Sequence, residues 1–208
     1  MLAGLTVADI AIVAVIILVS IAAHEAMHAY VAHMLGDSTA QEEGRLSLNP
    51  FKHVDIFLTV LLPIVLLLLH LPPIFIAKPV PINPERVKFE EFGTALIGLA
   101  GPFTNLALAA AAAVLGRIFG ADAGFAYGVI ELFVYVNIVF FVFNMIPFPP
   151  LDGSRLLYAF APDGLRRVMM MIESAGLIAI IIFVLLFIPV IGPIITSIAQ
   201  AIFTFLLR

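Results

Sequence analysis

Long apolar runs separated by short polar stretches set the first reading of this chain. Ile10–Leu35 exceeds the ~20 helical residues that cross a hydrocarbon core ~30 Å thick. Its leader, Met1–Ala8, holds no Lys or Arg, and the run carries His24, Glu25 and His28 inside it, so a spanning helix is expected and not a signal peptide. Gly36 predicts the stop, and the polar stretch Asp37–Asp55 follows with a turn at Asn49-Pro50. Gly93–Phe119, rich in Gly and Ala, and Ala126–Ile146 read as a second and a third span. Leu156–Arg167 reads as an amphipathic connector turning at Pro162-Asp163-Gly164. Met169–Val190 is a fourth span, parted by Pro189 and Gly192-Pro193 from a shorter fifth, Gly192–Leu207.

Ile56–Ala77 is apolar but cut by Pro63 and by Pro72-Pro73, which leaves a short span or a re-entrant or interfacial hairpin as alternatives. Lys78–Glu91 is a charged connector that opens on the extended Pro79-Val80-Pro81-Ile82. The expected fold is therefore an all-α polytopic membrane protein with about five spanning helices plus the hairpin. A single membrane domain, 1–208, is expected, with a core over 10–158 and C-terminal helices over 168–208. No internal repeat or low-complexity tract interrupts it.

Composition agrees and narrows the function. Hydrophobic residues make up 63% of the chain and charged ones 12%, far from the half and quarter of a soluble domain. A net charge of −4 with ten Lys and Arg offers no phosphate-neutralising face, so nucleic acid is not an expected partner. The absence of Cys removes both disulfides and thiolate metal sites.

With so few charges, those inside apolar runs carry the chemistry. His24-Glu25-Ala26-Met27-His28 is an H-E-x-x-H, whose histidines, roughly 400° apart on a helix, project from nearly one face. That spacing clamps one tetrahedral zinc and leaves Glu25 in reach of a water there. Three ionisable groups in a span cost several kcal/mol unless paired or bound. A third ligand is needed, and Asp152 is the candidate. It follows a span in Asn144-Met145-Ile146-Pro147-Phe148-Pro149-Pro150-Leu151-Asp152-Gly153, where three prolines break the helix. Alone, an Asp before Gly is an ordinary turn residue; beside an H-E-x-x-H it becomes a ligand.

These two elements resemble the site-2 protease family of intramembrane zinc metalloproteases, marked by H-E-x-x-H on one span and N-x-x-P-x-x-P-x-D-G on another. Asn144, Pro147, Pro150, Asp152 and Gly153 match the second. Ala100-Gly101-Pro102 with Asn105 resembles the family's intervening span, and Gly44-Arg45, Leu48-Asn49-Pro50 and His53-Val54-Asp55 resemble a segment of its small prokaryotic members. The resemblance covers roughly 10–158. It implies one zinc ion held by His24, His28 and Asp152, and hydrolysis of transmembrane or membrane-adjacent segments of membrane-bound substrates, often regulators such as anti-sigma factors.

Expected roles follow. Glu25 is the general base. Asn144 is a candidate oxyanion donor, with an interhelical hydrogen bond as the alternative. Pro147, Pro149 and Pro150 could offer carbonyls to an extended substrate strand. One zinc shared by His24, His28 and Asp152 requires parallel spans, hence one crossing between them and a non-crossing hairpin at Ile56–Ala77. Lys and Arg then gather on one face, with Arg117 alone opposite among the loops, so the site is expected towards the cytoplasmic face of the cell membrane. Other polar residues are read as structural: His33 as interfacial, Asp55 as a cap, His53 as capable of gating, His70 as packed or interfacial, and Asn105 as a helix–helix tie. Glu131 is unexplained, and Met169, Met170 and Met171 share no face. A metal-dependent transporter or a non-catalytic membrane chaperone of the same fold are the competing functions. The first predicts ionisable groups spread along several spans; the second has no need of Glu25.

Overall fold

A computed structural model describes residues 6–68 and 77–208. Helix is the only regular structure among them. The first helix, α1 (Val7–Met34), opens on a reciprocal cap in which Thr6 accepts from the Asp9 amide at 3.2 Å and Asp9 from the Thr6 amide at 2.8 Å. It closes on Gly36, whose φ of 102° lies in the left-handed region that glycine alone adopts freely.

The polar stretch packs back onto the end of α1 rather than trailing into solvent. The buried Asp37 accepts from the amides of Thr39 (3.0 Å) and Asn83 (2.7 Å), tying the short α2 (Thr39–Glu42) to the returning connector. Ala40, Val80 and Val87 fill the space against Ala29 and Ala32 of α1. Arg45, buried, donates to the carbonyls of Lys52, Lys78 and Pro79, and the Lys78 amide donates to the His53 carbonyl at 2.9 Å. The chain thus leaves this knot at His53 and rejoins it at Lys78. Between them, Asp55 caps a π-helical turn, Ile56–Leu61, which runs into α3 (Leu62–Leu68). The rest of the expected Ile56–Ala77 hairpin, His70 included, lies outside the described residues.

Two long helices follow, α4 (Glu90–Phe119) and α5 (Phe125–Asn144). Ile97 of α4 meets His28 and Asn105 meets Ser20, so α4 runs antiparallel to α1. Asn105 also meets Asn137, while Gly116 lies against Tyr127 and Ile130, so α5 reverses again and is parallel to α1. Small residues make this proximity possible: Ala109 and Ala113 of α4 are fully buried against Val134 and Ile138.

Beyond α5 the structure departs from expectation. The connector is two amphipathic helices, α6 (Gly153–Phe160) and α7 (Asp163–Ser174), and Pro162 leads into α7 instead of turning the chain. Met169, read as the start of a fourth span, belongs to α7. The fourth and fifth expected spans are one helix, α8 (Leu177–Leu207), which passes through Pro189 and Pro193. Four helices among the described residues, α1, α4, α5 and α8, are therefore long and apolar enough to cross a bilayer, instead of about five. Each proline deletes one N–H bond, whereas ending a helix in an apolar medium strands up to four carbonyls, so continuity costs less. Arg117 donates to the Phe205 carbonyl at 2.9 Å, placing the end of α8 beside the end of α4.

Candidate metal centre

His24 and His28 lie one turn apart on the face of α1 that meets α4, both buried, with ring centroids 4.7 Å apart and nearly perpendicular. Asp152 reaches them from the short segment joining α5 to α6. That segment folds on itself through Phe148 N to Ile146 O, Leu151 N to Phe148 O and Ser154 N to Leu151 O. Phe148 is fixed by stacking on Phe183 of α8 at 4.5 Å. A Cβ on Gly153 would strike the backbone of Met145 and Ile146, so the turn that aims Asp152 requires glycine there.

Asp152 Oδ2 lies 2.9 Å from His24 Nε2 and 3.4 Å from His28 Nε2. Two ligands bound ~2.0–2.1 Å from a tetrahedral ion are about 3.3 Å apart, so the spacing suits one zinc. The protons on the rings agree. His24 Nδ1 faces Asn105 Oδ1 at 2.6 Å and His28 Nδ1 faces the Ile97 carbonyl at 2.7 Å. Both partners only accept, so both Nδ1 atoms carry protons and both Nε2 atoms present lone pairs. Two imidazole lone pairs and a carboxylate thus converge, with all ligand atoms within 4.8 Å of one another, an arrangement that a cation reconciles. The α4 backbone forms one wall. A Cβ on Gly101 would stand 2.6 Å from His24 Nε2 and would also strike His28 Nε2.

Asn105 does more than tie helices. Fully buried, it receives the His24 proton while donating to Asn137 Oδ1 at 2.9 Å and to the Ser20 carbonyl at 3.3 Å; Asn137 in turn donates to Ser20 Oγ. Glu25, next to His24 on α1, is half-buried and makes no hydrogen bond among the described residues. Asn144, half-buried, donates to the Phe140 carbonyl of its own helix at 3.0 Å, so its bond is neither interhelical nor to the ligand group. Pro147 is exposed, Pro149 buried and Pro150 half-buried, and their carbonyls accept no hydrogen bond among the described residues.

The remaining polar residues stand apart. His33 is exposed on the far side of α1. His53 is buried in the loop knot, its Nε2 donating to the Ser47 carbonyl at 2.6 Å, and Asp55 caps. Glu131 is half-buried, and nothing in the structure explains it. Two partners of the site carried no sequence signal. The Ile97 carbonyl is backbone, which any residue supplies. Glu173 lies inside the run expected as a fourth span and is not singled out there, yet it accepts from Arg155 and from Tyr158 Oη at 2.9 Å. The Tyr158 hydroxyl is pushed up to about 12 by burial and by its bond to the Glu173 carboxylate.

Two buried histidines and a half-buried aspartate that could hold one ion, set among long apolar helices, define a helical membrane protein with a candidate metal centre. "Putative zinc metalloprotease YwhC" of Bacillus subtilis is 38% identical over 184 residues, 85% of this chain and 80% of that protein. "Putative zinc metalloprotease Rip2" of Mycolicibacterium smegmatis is 29% identical over 171 residues, 81% of this chain and 64% of the relative. Rip2 of Mycobacterium tuberculosis is 31% identical over 169 residues, 75% of this chain and 62% of the relative. No family model and no solved structure matches the chain. The chain belongs to the site-2 protease family of zinc metalloproteases. Zinc is the cofactor that membership implies, and His24, His28 and Asp152 could hold one ion.

Proposed function

We propose that this protein is an intramembrane zinc endopeptidase, hydrolysing peptide bonds in transmembrane or membrane-adjacent segments of other membrane proteins. The observation that carries this reading is the candidate ligand group itself, two buried histidines of α1 and the half-buried Asp152 meeting between α1, α4 and the α5–α6 turn in a bundle of long apolar helices. A transporter would spread ionisable groups along several helices; here they converge at one depth. A non-catalytic chaperone would have no use for an unpaired Glu25.

Zinc bound there would supply a Lewis acid that acidifies a water and polarises the scissile carbonyl. Glu25 takes a proton from the attacking water as its oxygen bonds the carbonyl carbon. As the carbon–nitrogen bond breaks, Glu25 returns that proton to the leaving amine. Asn144 has a second amide N–H beyond the one given to Phe140, and this is the candidate donor to the developing oxyanion. The carbonyls of Pro147, Pro149 and Pro150 accept from the N–H groups of a substrate strand, unwound because a helical segment has its carbonyls engaged.

The protein sits in the cell membrane with the site towards the cytoplasm. Lys52, Lys78, Arg86, Lys88, Arg155, Arg166 and Arg167 fall at the end of the bundle that holds the site, and Arg117 and Arg208 at the other. Arg45 lies at the same end, its guanidinium held by the carbonyls of Lys52, Lys78 and Pro79. Because His53 and Lys78 are hydrogen-bonded, residues 54–77 leave and return at one end, which supports a hairpin that does not cross.

The test is zinc stoichiometry together with cleavage of a single-span substrate by the parent, Glu25→Gln and Asp152→Ala. One zinc per chain, retained without cleavage in Glu25→Gln and lost in Asp152→Ala, is expected. Cleavage by Glu25→Gln would remove Glu25 from the base role and overturn the mechanism.

A further inference from the structure

We propose that Glu173 is a positioning residue for the metal ligand Asp152, acting through Arg155 and Tyr158. Asp152 stands at the first turn of α6, a helix of eight residues, too short to hold its own geometry. Something outside α6 must fix it. The Arg155 amide donates to the Asp152 carbonyl at 2.9 Å, so the backbone of the ligand is tied to Arg155. Arg155 is fixed at both ends. Its Cβ and Cγ lie where a Cβ on Gly98 would be only 2.6 and 2.7 Å away, so its stem is pressed against bare α4 backbone. Its guanidinium grips Glu173 of α7 with two nitrogens, one of them at 3.3 Å.

Tyr158, one turn further along α6, is buried and donates to the same carboxylate at 2.9 Å. Glu173 therefore accepts three hydrogen bonds from two residues of α6 and fixes the rotation of that helix about its axis. Rotation of α6 is what swings Asp152 towards or away from His24 and His28. The raised Tyr158 hydroxyl keeps its proton throughout the neutral range, so this grip does not loosen there. A second contact, Arg166 with Glu91, ties α7 to α4; Arg166 also donates to the Tyr158 carbonyl of α6 at 3.3 Å, but the pair leaves the Arg155 and Tyr158 side chains untouched.

This inference rests on the metal reading of His24, His28 and Asp152 but not on proteolysis. The experiment uses the full chain in detergent micelles. Zinc affinity is read by competition with a chromophoric chelator, and ligand geometry by the visible absorption of the Co2+-loaded protein. Glu173→Gln should bind zinc about 10- to 100-fold more weakly and lose tetrahedral Co2+ intensity. Glu173→Gln combined with Arg155→Gln should be no weaker than either alone, because both break one path. Glu91→Gln should leave affinity and spectrum unchanged. Parental affinity in a folded Glu173→Gln chain, or an equal loss in Glu91→Gln, overturns the proposal. If Glu173→Gln does not fold, Tyr158→Phe carries the test: weaker zinc supports it, and parental zinc overturns it. A parent that binds zinc yet cleaves nothing would sink the proposed function and leave this inference standing.

Discussion

Asn105 Oδ1 lies 2.6 Å from His24 Nδ1 while the amide nitrogen of the same residue donates at 2.9 Å to Asn137, so one side chain of α4 joins a metal ligand on α1 to α5. Each hydrogen bond of this network between membrane helices contributes only about 0.6 kcal/mol on average. The network's larger effect is on His24, whose ring orientation and tautomer it fixes.

Asn105→Ala should therefore weaken zinc binding about 10- to 100-fold. It should also cost about 1–3 kcal/mol, because Asn137 and Ser20 lose a buried partner. Asn105→Asp keeps the acceptor for His24 and should retain zinc far better than Ala. Chelator competition on the two variants checks this, and equal affinities would refute the orienting role.

Gly101→Ala should abolish zinc binding while leaving helical content intact. The added Cβ would stand 2.6 Å from His24 Nε2, and the neighbour that must give way is a ligand ring already pinned at Nδ1. Gly128→Ala is the matched control, since its Cβ would meet nothing within 4 Å. Metal content by atomic emission distinguishes the two, and a Gly101→Ala chain that purifies with zinc would show that α4 can recede.

Much of this was legible in the chain. H-E-x-x-H and Asp152 could be found because buried charge is scarce in apolar helices, and the requirement that they share one ion fixed the parallel course of α1 and α5. The unity of α8 was not legible. Pro189, Gly192 and Pro193 are strong local breakers, and only the lack of water to receive stranded carbonyls keeps the helix going. The α7 helix was hidden for a similar reason. Its Met169–Ile172 run is apolar enough to read as the start of a span, and only Gly176, at φ 53°, marks the true corner. Contacts such as Arg155 with Glu173 depend on a turn geometry that no local pattern announces.

Asp37 should make the loop cap sensitive to acid. Burial alone would raise its carboxyl, but bonds from the Thr39 hydroxyl and from the Asn83 and Thr39 amides outweigh burial and hold it below 3.8. The unfolded chain then binds the extra proton, so this contribution is complete above the ordinary carboxylate range and lost as pH falls through the lowered value. Asp37→Ala should cost about 1–3 kcal/mol near neutrality, and less in acid where the parent has also lost the contribution. Thermal unfolding in detergent at neutral and acid pH measures both, and a penalty independent of pH would remove the carboxylate from this role.

The course of the chain through the membrane gives the last prediction, and the absence of native cysteine makes it clean to test. Single cysteines at Lys52, Lys88, Arg117 and Arg208 can be labelled with an impermeant maleimide in intact cells and in inverted vesicles. The His53–Lys78 hydrogen bond places Lys52 and Lys88 at the same end of the bundle, either side of a segment that returns to its start. The bond from Arg117 to the Phe205 carbonyl places Arg208 with Arg117 at the other end. Lys52 and Lys88 should therefore label from the cytoplasmic side, and Arg117 and Arg208 from outside. If α8 were two spans, Arg208 would label with Lys88. If residues 54–77 crossed, Lys52 would label with Arg117. The second result would reverse the parity that brings Asp152 to the depth of His24 and His28; the first would overturn only the single course of α8.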